Sequence, residues 1–302
     1  MSDSPDWSQT NSNGDIVIPY GFSPGFKWKD EIDSHLLELT RDIGCMKFIR
    51  EDSMSTSTYE NGVIFIDGDD YADGKCWSPL GVAPGFRGTS TTTVIEFGAP
   101  AGWQVLSLSA GCGGGVRYIV HHEVGHMLGR FHEFRRPDRD IWLNVSPAAL
   151  TQGAEMYTSW RPHGFPLDIS SAMMYGTTLL THDPAEPDLT AKDGSLVPHL
   201  FGFTTMDALT AERHYCGAQA GTYKNKVICP QAAATGLMVP IFTDRLCDNI
   251  VDCPGGKDED GSMETCNHSD STPRNDCCKV GCHGDFLSKN FGRNSVPIIG
   301  RF

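Results

Sequence analysis

The sequence predicts an α+β domain followed by a small, disulfide-rich module. Through the first two-thirds of the chain, apolar residues at helical spacing alternate with short apolar runs that are typical of strands. Near residues 217–221 the composition changes, and beyond them acidic residues and cysteines are dense while apolar runs disappear. We therefore expect four parts: an N-terminal segment 1–15, a domain 16–217, a module 222–268 and a tail 269–302 that contains Cys277, Cys278 and Cys282.

The first half of the domain carries one predicted helix and three predicted strands. Residues 27–43 are expected to be helical, because apolar residues recur there at helical spacing and Gly44 supplies a stop. Apolar runs bounded by polar or Gly-rich turns predict strands at residues 46–50, 63–67 and 104–109.

The second half of the domain is expected to be less regular. A helix from about residue 116 to 129 follows Gly113-Gly114-Gly115, which breaks the preceding element. Residues 141–200 show no sustained period and contain many Pro and Gly, so irregular structure with short helices is predicted. A last helix covers Thr205–Tyr215, with Thr205 as its candidate N-cap.

Composition limits the classes of function. Of 302 residues, 39% are hydrophobic and 21% charged, which suits a packed core and not a disordered chain. The formal net charge is −14 and the sequence pI about 5.1, so the surface repels phosphate backbones and nucleic acid is not expected as a partner. The sequence contains no run of ~18 apolar residues, so no membrane-spanning helix is predicted.

Eleven cysteines, seven of them in the last quarter, predict disulfides and an oxidising compartment. Residues 1–16 lack the apolar core of a secretory signal. Since the cysteines are the stronger indication, we expect a secreted, extracellular protein whose leader is missing from this sequence. The sequons at Asn144 and Asn267 agree weakly with glycosylation outside the cell.

The segment from His122 to Glu133, HEVGHMLGRFHE, has the spacing of a metal site. Helical residues four apart share a face, so His122 and His126 can offer two imidazoles to one cation. Gly129 can end the helix with a positive φ, and the chain can then bring His132 up as a third ligand. A catalytic zinc ion typically has three protein ligands and a fourth position that is open to water, whereas in a structural site a fourth protein ligand fills that position. Three neutral imidazole nitrogens therefore predict a catalytic site.

Glu123 is the residue after His122 on the same helix, so its carboxylate can lie close to a metal-bound water without binding the metal itself. Zinc lowers the pKa of its water towards ~7. Glu123 can then accept a proton as that water attacks a peptide carbonyl, and can later deliver it to the leaving amine.

The pattern H-E-x-x-H-x-x-G-x-x-H resembles the metzincin signature, and its continuation from His132 to Asp140 resembles the astacin-family extension H-E-x-x-R-x-D-R-D. Downstream, the SAMMYG run at residues 171–176 is similar to the Met-containing turn of the same group. The resemblance covers about residues 16–217. It implies that Met173 is the apolar floor of the metal site and that Tyr175 stabilises the oxyanion during attack.

The same resemblance implies a metzincin-like fold of two subdomains. A twisted, mostly parallel N-terminal sheet with two long helices would face an irregular C-terminal half across a cleft that holds zinc. The implied disulfides join Cys45 to Cys216 and Cys76 to Cys112, and the implied partner of Glu133 is a new N-terminus released from a propeptide. Two departures, Met174 and Leu167, stand where His and Tyr are usual, which affects packing near the cleft.

Residues 229–266 resemble the second half of an LDL-receptor class A module, in degenerate form. The resemblance implies a calcium site and a disulfide between Cys247 and Cys266, which leaves Cys229 and Cys253 to pair with each other. An acidic loop closed by disulfides and without calcium is the alternative. The implied side-chain ligands of calcium are Asp248, Asp252, Asp258 and Glu259.

The predicted function is that of a secreted zinc endopeptidase acting on extracellular proteins or peptides, with no prediction of oligomeric state. One alternative is a catalytically silent binding protein on a protease scaffold, and another is a zinc hydrolase of a different substrate class. All catalytic positions are present, which argues against the first alternative. The turn around Met173 and the extension after His132 argue against the second.

Overall fold

The structure is a computed structural model, and it describes residues 6–71, 74–83, 98–157, 165–178, 186–197, 202–217, 226–229, 240–246, 252–253 and 257–258. The chain divides into two units, Met1–Asn225 and Lys226–Phe302. Among the described residues, no helix is both long enough and apolar enough to cross a membrane.

A parallel sheet forms the first half of the larger unit. Its strands are β1 (Ile16–Phe22), β2 (Met46–Arg50), β3 (Val63–Asp67) and β4 (Gln104–Leu108), in the spatial order β2-β1-β3-β4. All three pairings are parallel. Every residue of β3 is buried, as expected for an apolar strand inside a parallel sheet that is covered on both faces. The predicted parallel sheet is confirmed.

Two long helices accompany the sheet, as predicted. Helix α1 (Lys29–Ile43) buries an apolar stripe and stops at Gly44, whose φ is 66°. The four-residue helix α2 (Gly68–Tyr71) follows β3 directly. Helix α3 (Gly115–Met127) contacts α1 and carries most of the metal motif. The buried stripe of α1 consists of Ile32, Leu36, Leu39 and Ile43.

The second half of the larger unit is irregular, also as predicted. It contains β5 (Leu143–Val145) and β6 (Leu189–Ala191), which pair antiparallel, the short helix α4 (Pro147–Thr151), and the final helix α5 (Thr205–Tyr215). A hydrophobic cluster fills this half, and it includes Phe134, Leu143, Leu167, Met174, Leu189 and Val197. The departures at 167 and 174 are therefore core residues.

The cap of α5 differs from the prediction by one residue. Thr204, not Thr205, is the N-cap, and its hydroxyl accepts a hydrogen bond from Asp207 N at 3.1 Å. Asp207 reciprocates, because its Oδ2 accepts from Thr204 N at 3.1 Å. Such a reciprocal box needs an acceptor three residues after the cap, and Thr205 has no acidic residue at that offset.

Disulfides and the N-terminal segment tie the larger unit together. Cys45 pairs with Cys216 and Cys76 with Cys112, as the family resemblance implied. Trp7 is buried and donates from Nε1 to Met127 O at 3.0 Å, at the C-terminal end of α3. The described part of the N-terminal segment thus packs against the helix that carries the metal motif.

In the second unit, the structure describes a small hairpin and one disulfide. Strands β7 (Lys226–Ile228) and β8 (Pro240–Phe242) are antiparallel, and Cys229 pairs with Cys253. Asp252 and Asp258 are buried, and Asp252 N donates to Asp258 Oδ2 at 2.6 Å. The other predicted calcium ligands and one disulfide lie outside the described residues, so the class A module and its calcium site stay predictions: Asp248, Glu259, Cys247 and Cys266.

Candidate metal centre

Helix α3 and the turn that ends it position the three histidines. His122 and His126 lie four residues apart and so share one face of the helix. Gly129, with a φ of 80°, donates to His126 O at 2.7 Å, and the next residue donates from its backbone N to Gly125 O at 2.9 Å. This pair of bonds is a Schellman ending, which reverses the chain and brings His132 back to the same face.

The three imidazoles meet at their Nε2 atoms. His132 Nε2 lies 3.1 Å from His126 Nε2 and 3.2 Å from His122 Nε2. Two ligand nitrogens at the usual zinc–nitrogen length in a tetrahedral site are about 3.3 Å apart. The observed separations therefore fit one zinc ion held by His122, His126 and His132, with a fourth position left for water or substrate.

Backbone carbonyls fix the tautomers of two of these rings. His122 Nδ1 lies 2.8 Å from Ala172 O, and His126 Nδ1 lies 2.8 Å from Arg130 O. A carbonyl only accepts, so each Nδ1 carries the proton and each Nε2 keeps its lone pair for a cation. Burial, followed by the charge of His122, lowers the pKa of His126 to about 3. Burial, followed by the charges of the other two rings, also lowers the pKa of His132, so both rings are neutral, as metal ligands must be.

Glu123 and Tyr175 lie next to residues of the metal motif: Glu123 directly follows His122 in α3, and the ring of Tyr175 packs against that of His132. Glu123 is buried, with 6% of its surface exposed, on the turn of α3 that carries His122. The Tyr175 ring centroid lies 4.4 Å from that of His132 and 6.1 Å from that of His122. Burial, and then the charge of Glu123, raises the pKa of Tyr175 to about 12, so its hydroxyl stays a hydrogen-bond donor at neutral pH.

The 171–175 turn packs closely against α3. Met173 is fully buried, and its sulfur lies 2.3 Å from the point where a Cβ on Gly125 would be placed. Only a glycine at 125 lets the turn approach α3 this closely. The predicted apolar floor at Met173 therefore lies against the helix between the turns that carry His122 and His126.

The family model that matches this chain is that of Astacin, a family of peptidases, and the match covers residues 7–216. The chain belongs to the astacin family.

Individual astacin relatives agree with this assignment. Zinc metalloproteinase nas-12 of Caenorhabditis elegans is 28% identical over 242 residues, which cover 72% of this chain and 53% of that protein. Zinc metalloproteinase nas-30 of the same organism is 30% identical over 156 residues, 49% of this chain and 19% of that protein. The chain thus spans about half or less of the length of these relatives.

A solved structure shows the same fold. It is high choriolytic enzyme 1, a hatching enzyme zinc-protease from the medaka fish Oryzias latipes. The TM-score is 0.50 at 22% identity, and the alignment covers 70% of this chain and 94% of the other. At this identity the likeness concerns the fold alone.

A second group of possible metal ligands lies between α1 and α3, at His35, Glu38 and His121. Phe203 N donates to His121 Nδ1 at 2.8 Å, so in the neutral ring the proton is on Nε2, which points to Glu38 Oε2 at 3.7 Å. Arg117 also pairs with Glu38. A protonated Nε2 cannot bind a metal, and we therefore interpret this group as a charge network separate from the three converging imidazoles.

Glu133 is buried among cations of its own chain. Its Oε1 lies 3.0 Å from Arg130 Nη2 and its Oε2 lies 3.3 Å from Arg136 Nη1. The first five residues lie outside the described part of the chain, so the expected pairing of Glu133 with a free N-terminus stays a prediction. The sequence motif contains Arg130 at an unspecified position, which is why the motif alone did not single it out.

Proposed function

We propose that this astacin-family chain is a secreted zinc-dependent endopeptidase that hydrolyses peptide bonds in extracellular proteins. The convergence of three imidazole Nε2 atoms, two of them with their tautomers fixed by backbone carbonyls, carries the proposal. His122, His126 and His132 would hold zinc. Zinc bound there supplies a polarised water of lowered pKa and a Lewis acid for the peptide carbonyl.

Glu123 moves the proton. Its side chain is buried on the turn of α3 that carries His122, and its charge contributes to the raised pKa of Tyr175. It accepts a proton from the attacking water and later donates one to the leaving amine, so its own charge is restored after each cycle. A carboxylate that starts and ends ionised can act in every cycle without an external base.

Tyr175 stabilises the developing oxyanion. Its pKa of about 12 keeps the phenol protonated, and its ring lies against His132 at the edge of the site. A donor held in place before the reaction stabilises negative charge that develops in the transition state more than the neutral ground state.

Secretion is supported by the cysteines. Three disulfides are formed among the described residues, and such bonds persist in oxidising compartments. Protein and peptide substrates outside the cell are the corresponding partners.

The proposal is tested by digesting casein and a peptide library with the purified protein and identifying the new termini by mass spectrometry. Internal peptide bonds should be cut, phenanthroline should abolish cutting, and Glu123→Gln should lower the rate by about 10²–10⁴-fold with zinc still bound. If wild-type protein holds one zinc and cuts nothing, the silent binding scaffold is the better account. Hydrolysis of other bonds only would instead favour a different zinc hydrolase.

A further inference from the structure

A group of buried carboxylates lies behind the metal centre. Glu133, Asp168 and Asp207 are each no more than 7% exposed. Burial, and then the charge of Asp207, raises the pKa of Asp168 to about 8, so this carboxyl is mostly neutral at physiological pH. Glu133 and Asp207 are the two members of the group that lie within ion-pair distance of an arginine, and a buried charge needs such a partner.

One guanidinium touches both of them. Arg130 is 3% exposed, with Nη2 3.0 Å from Glu133 Oε1 and Nη1 2.5 Å from Asp207 Oδ1. Its Cζ also lies 5.7 Å from the centroid of the Phe203 ring. A planar guanidinium can bridge two carboxylates at once, which a lysine ammonium on a flexible stem does less well.

Asp207 also accepts hydrogen bonds from the 171–175 turn. Asp207 Oδ1 accepts from Ser171 Oγ at 2.6 Å, and Oδ2 accepts from Ala172 N at 2.9 Å. The carbonyl of the same Ala172 is the acceptor for His122 Nδ1. Asp207, which pairs with Arg130, is therefore connected to His122 by two consecutive hydrogen bonds through Ala172.

Glu133 connects Arg130 to the third histidine, His132. It follows His132 directly in the chain, and its backbone N donates to Met173 O at 2.8 Å. The backbone carbonyl of Arg130 itself is the acceptor for His126 Nδ1. Arg130 is thus connected to all three imidazoles: through its own carbonyl, through Glu133, and through Asp207 with the 171–175 turn.

We propose that Arg130 is a positioning residue of the metal centre. Its buried guanidinium bridges Glu133 and Asp207 and so holds helix α3, the segment of His132 and the 171–175 turn in fixed relative positions. Among the described residues, Arg130 places its positive charge within ion-pair distance of both carboxylates. This inference rests on the proposed zinc site.

The test measures zinc retention, apart from activity, by competition with a chromogenic chelator on the full chain below its unfolding temperature. Arg130→Met should lose zinc at a free chelator concentration about tenfold lower than wild type does. Arg130→Lys should fall between the two, because one ammonium cannot bridge both carboxylates. Arg117→Met is the control, since it breaks a different arginine–carboxylate pair, Arg117 with Glu38, and should retain zinc within about twofold of wild type.

The proposal is overturned if Arg130→Met retains zinc as well as Arg117→Met does. If Arg130→Met does not fold, Arg130→Lys decides, and zinc retention equal to wild type contradicts the proposal. Wild-type protein that binds zinc but cuts no peptide contradicts only the proposed function, while wild-type protein that binds no zinc contradicts both.

Discussion

Tyr175 is the residue whose proposed role depends most on its protonation state. Its pKa of about 12 means that it acts as a neutral donor, not as a phenolate. Removing the hydroxyl should therefore remove transition-state stabilisation while leaving the metal and the ring packing in place.

We predict that Tyr175→Phe lowers kcat on a peptide substrate by about 10²-fold, with a small change in KM and no loss of zinc. Steady-state kinetics and metal analysis on the same sample provide the check. Tyr215→Phe is the control, because that hydroxyl donates to Leu128 O and has no proposed role at the metal centre. Equal kcat values for Tyr175→Phe and wild type would remove Tyr175 from the mechanism.

At the scale of single residues, the spacing of side chains could predict the three metal-binding histidines but not the groups that hydrogen-bond to them. The offsets of His122, His126 and His132 follow from helix geometry and a glycine turn, both readable in the sequence. The acceptors Ala172 O and Arg130 O are backbone groups, and backbone groups leave no pattern of side chains in the sequence. The tautomers of His122 and His126 could therefore be assigned only from the structure.

At the scale of elements, α3 and the 171–175 turn depend on close approach at Gly125. A Cβ there would lie 2.3 Å from the sulfur of Met173 and 3.2 Å from the ring of Phe203. Neither neighbour can retreat far, because both are fully buried.

Gly125→Ala should cost about 1–3 kcal/mol of unfolding free energy through overpacking and should weaken zinc retention. Urea unfolding with a zinc-competition assay measures both effects. Gly111→Ala is the matched control, since its Cβ would meet nothing closer than Ser109 Oγ at 3.4 Å. Identical behaviour of the two variants would show that the turn does not press on the helix.

Asp168 joins the segment before the turn to α5, because Thr204 Oγ1 donates to its Oδ2 at 2.5 Å. Its pKa of about 8 lies above the unfolded value of 3.8, so between these values the folded chain binds more protons. The associated stability is present below pH 3.8 and is lost as the pH rises through 8.

Asp168→Asn does not titrate, and the wild type loses about 1.4 kcal/mol of stability per pH unit until the folded pKa of about 8 is reached. Relative to wild type, the variant should therefore gain about 2–3 kcal/mol of stability on going from about pH 6 to about pH 9. Denaturant unfolding at the two pH values measures this gain. The exposed Asp193→Asn should show no such gain. A wild type whose stability relative to Asp168→Asn is the same at both pH values would mean that Asp168 is ionised throughout.

The long elements were predictable because their apolar residues repeat at helical or strand spacing. The N-cap of α5 was predicted one residue late, since two adjacent threonines fit the pattern and only the reciprocal bond to Asp207 separates them. The short pieces of the second half carry no period, so β5 and β6 could not be read from the sequence.

At the scale of the larger unit, the two disulfides differ in the length of chain that they close. Cys45–Cys216 spans 171 residues and joins the end of α1 to the end of α5, whereas Cys76–Cys112 spans 36. Loop-closure entropy makes the longer cross-link the more stabilising one.

Replacing both cysteines of the long pair with serine should lower the unfolding free energy by about 3–5 kcal/mol, and replacing the short pair should cost less. Thermal and denaturant unfolding of the two double variants, each compared with wild type, provides the measurement. The reverse order would mean that strain or residual structure outweighs loop length.

The most direct test of the central claim is a zinc titration of metal-free protein while cleavage of a fluorogenic peptide is followed. The account predicts that activity rises in proportion to added zinc and saturates at one equivalent per chain. Glu123→Gln should bind the same single equivalent and remain inactive. Activity without zinc, or Glu123→Gln as active as wild type, would contradict the assignment of this site as the centre of a zinc endopeptidase.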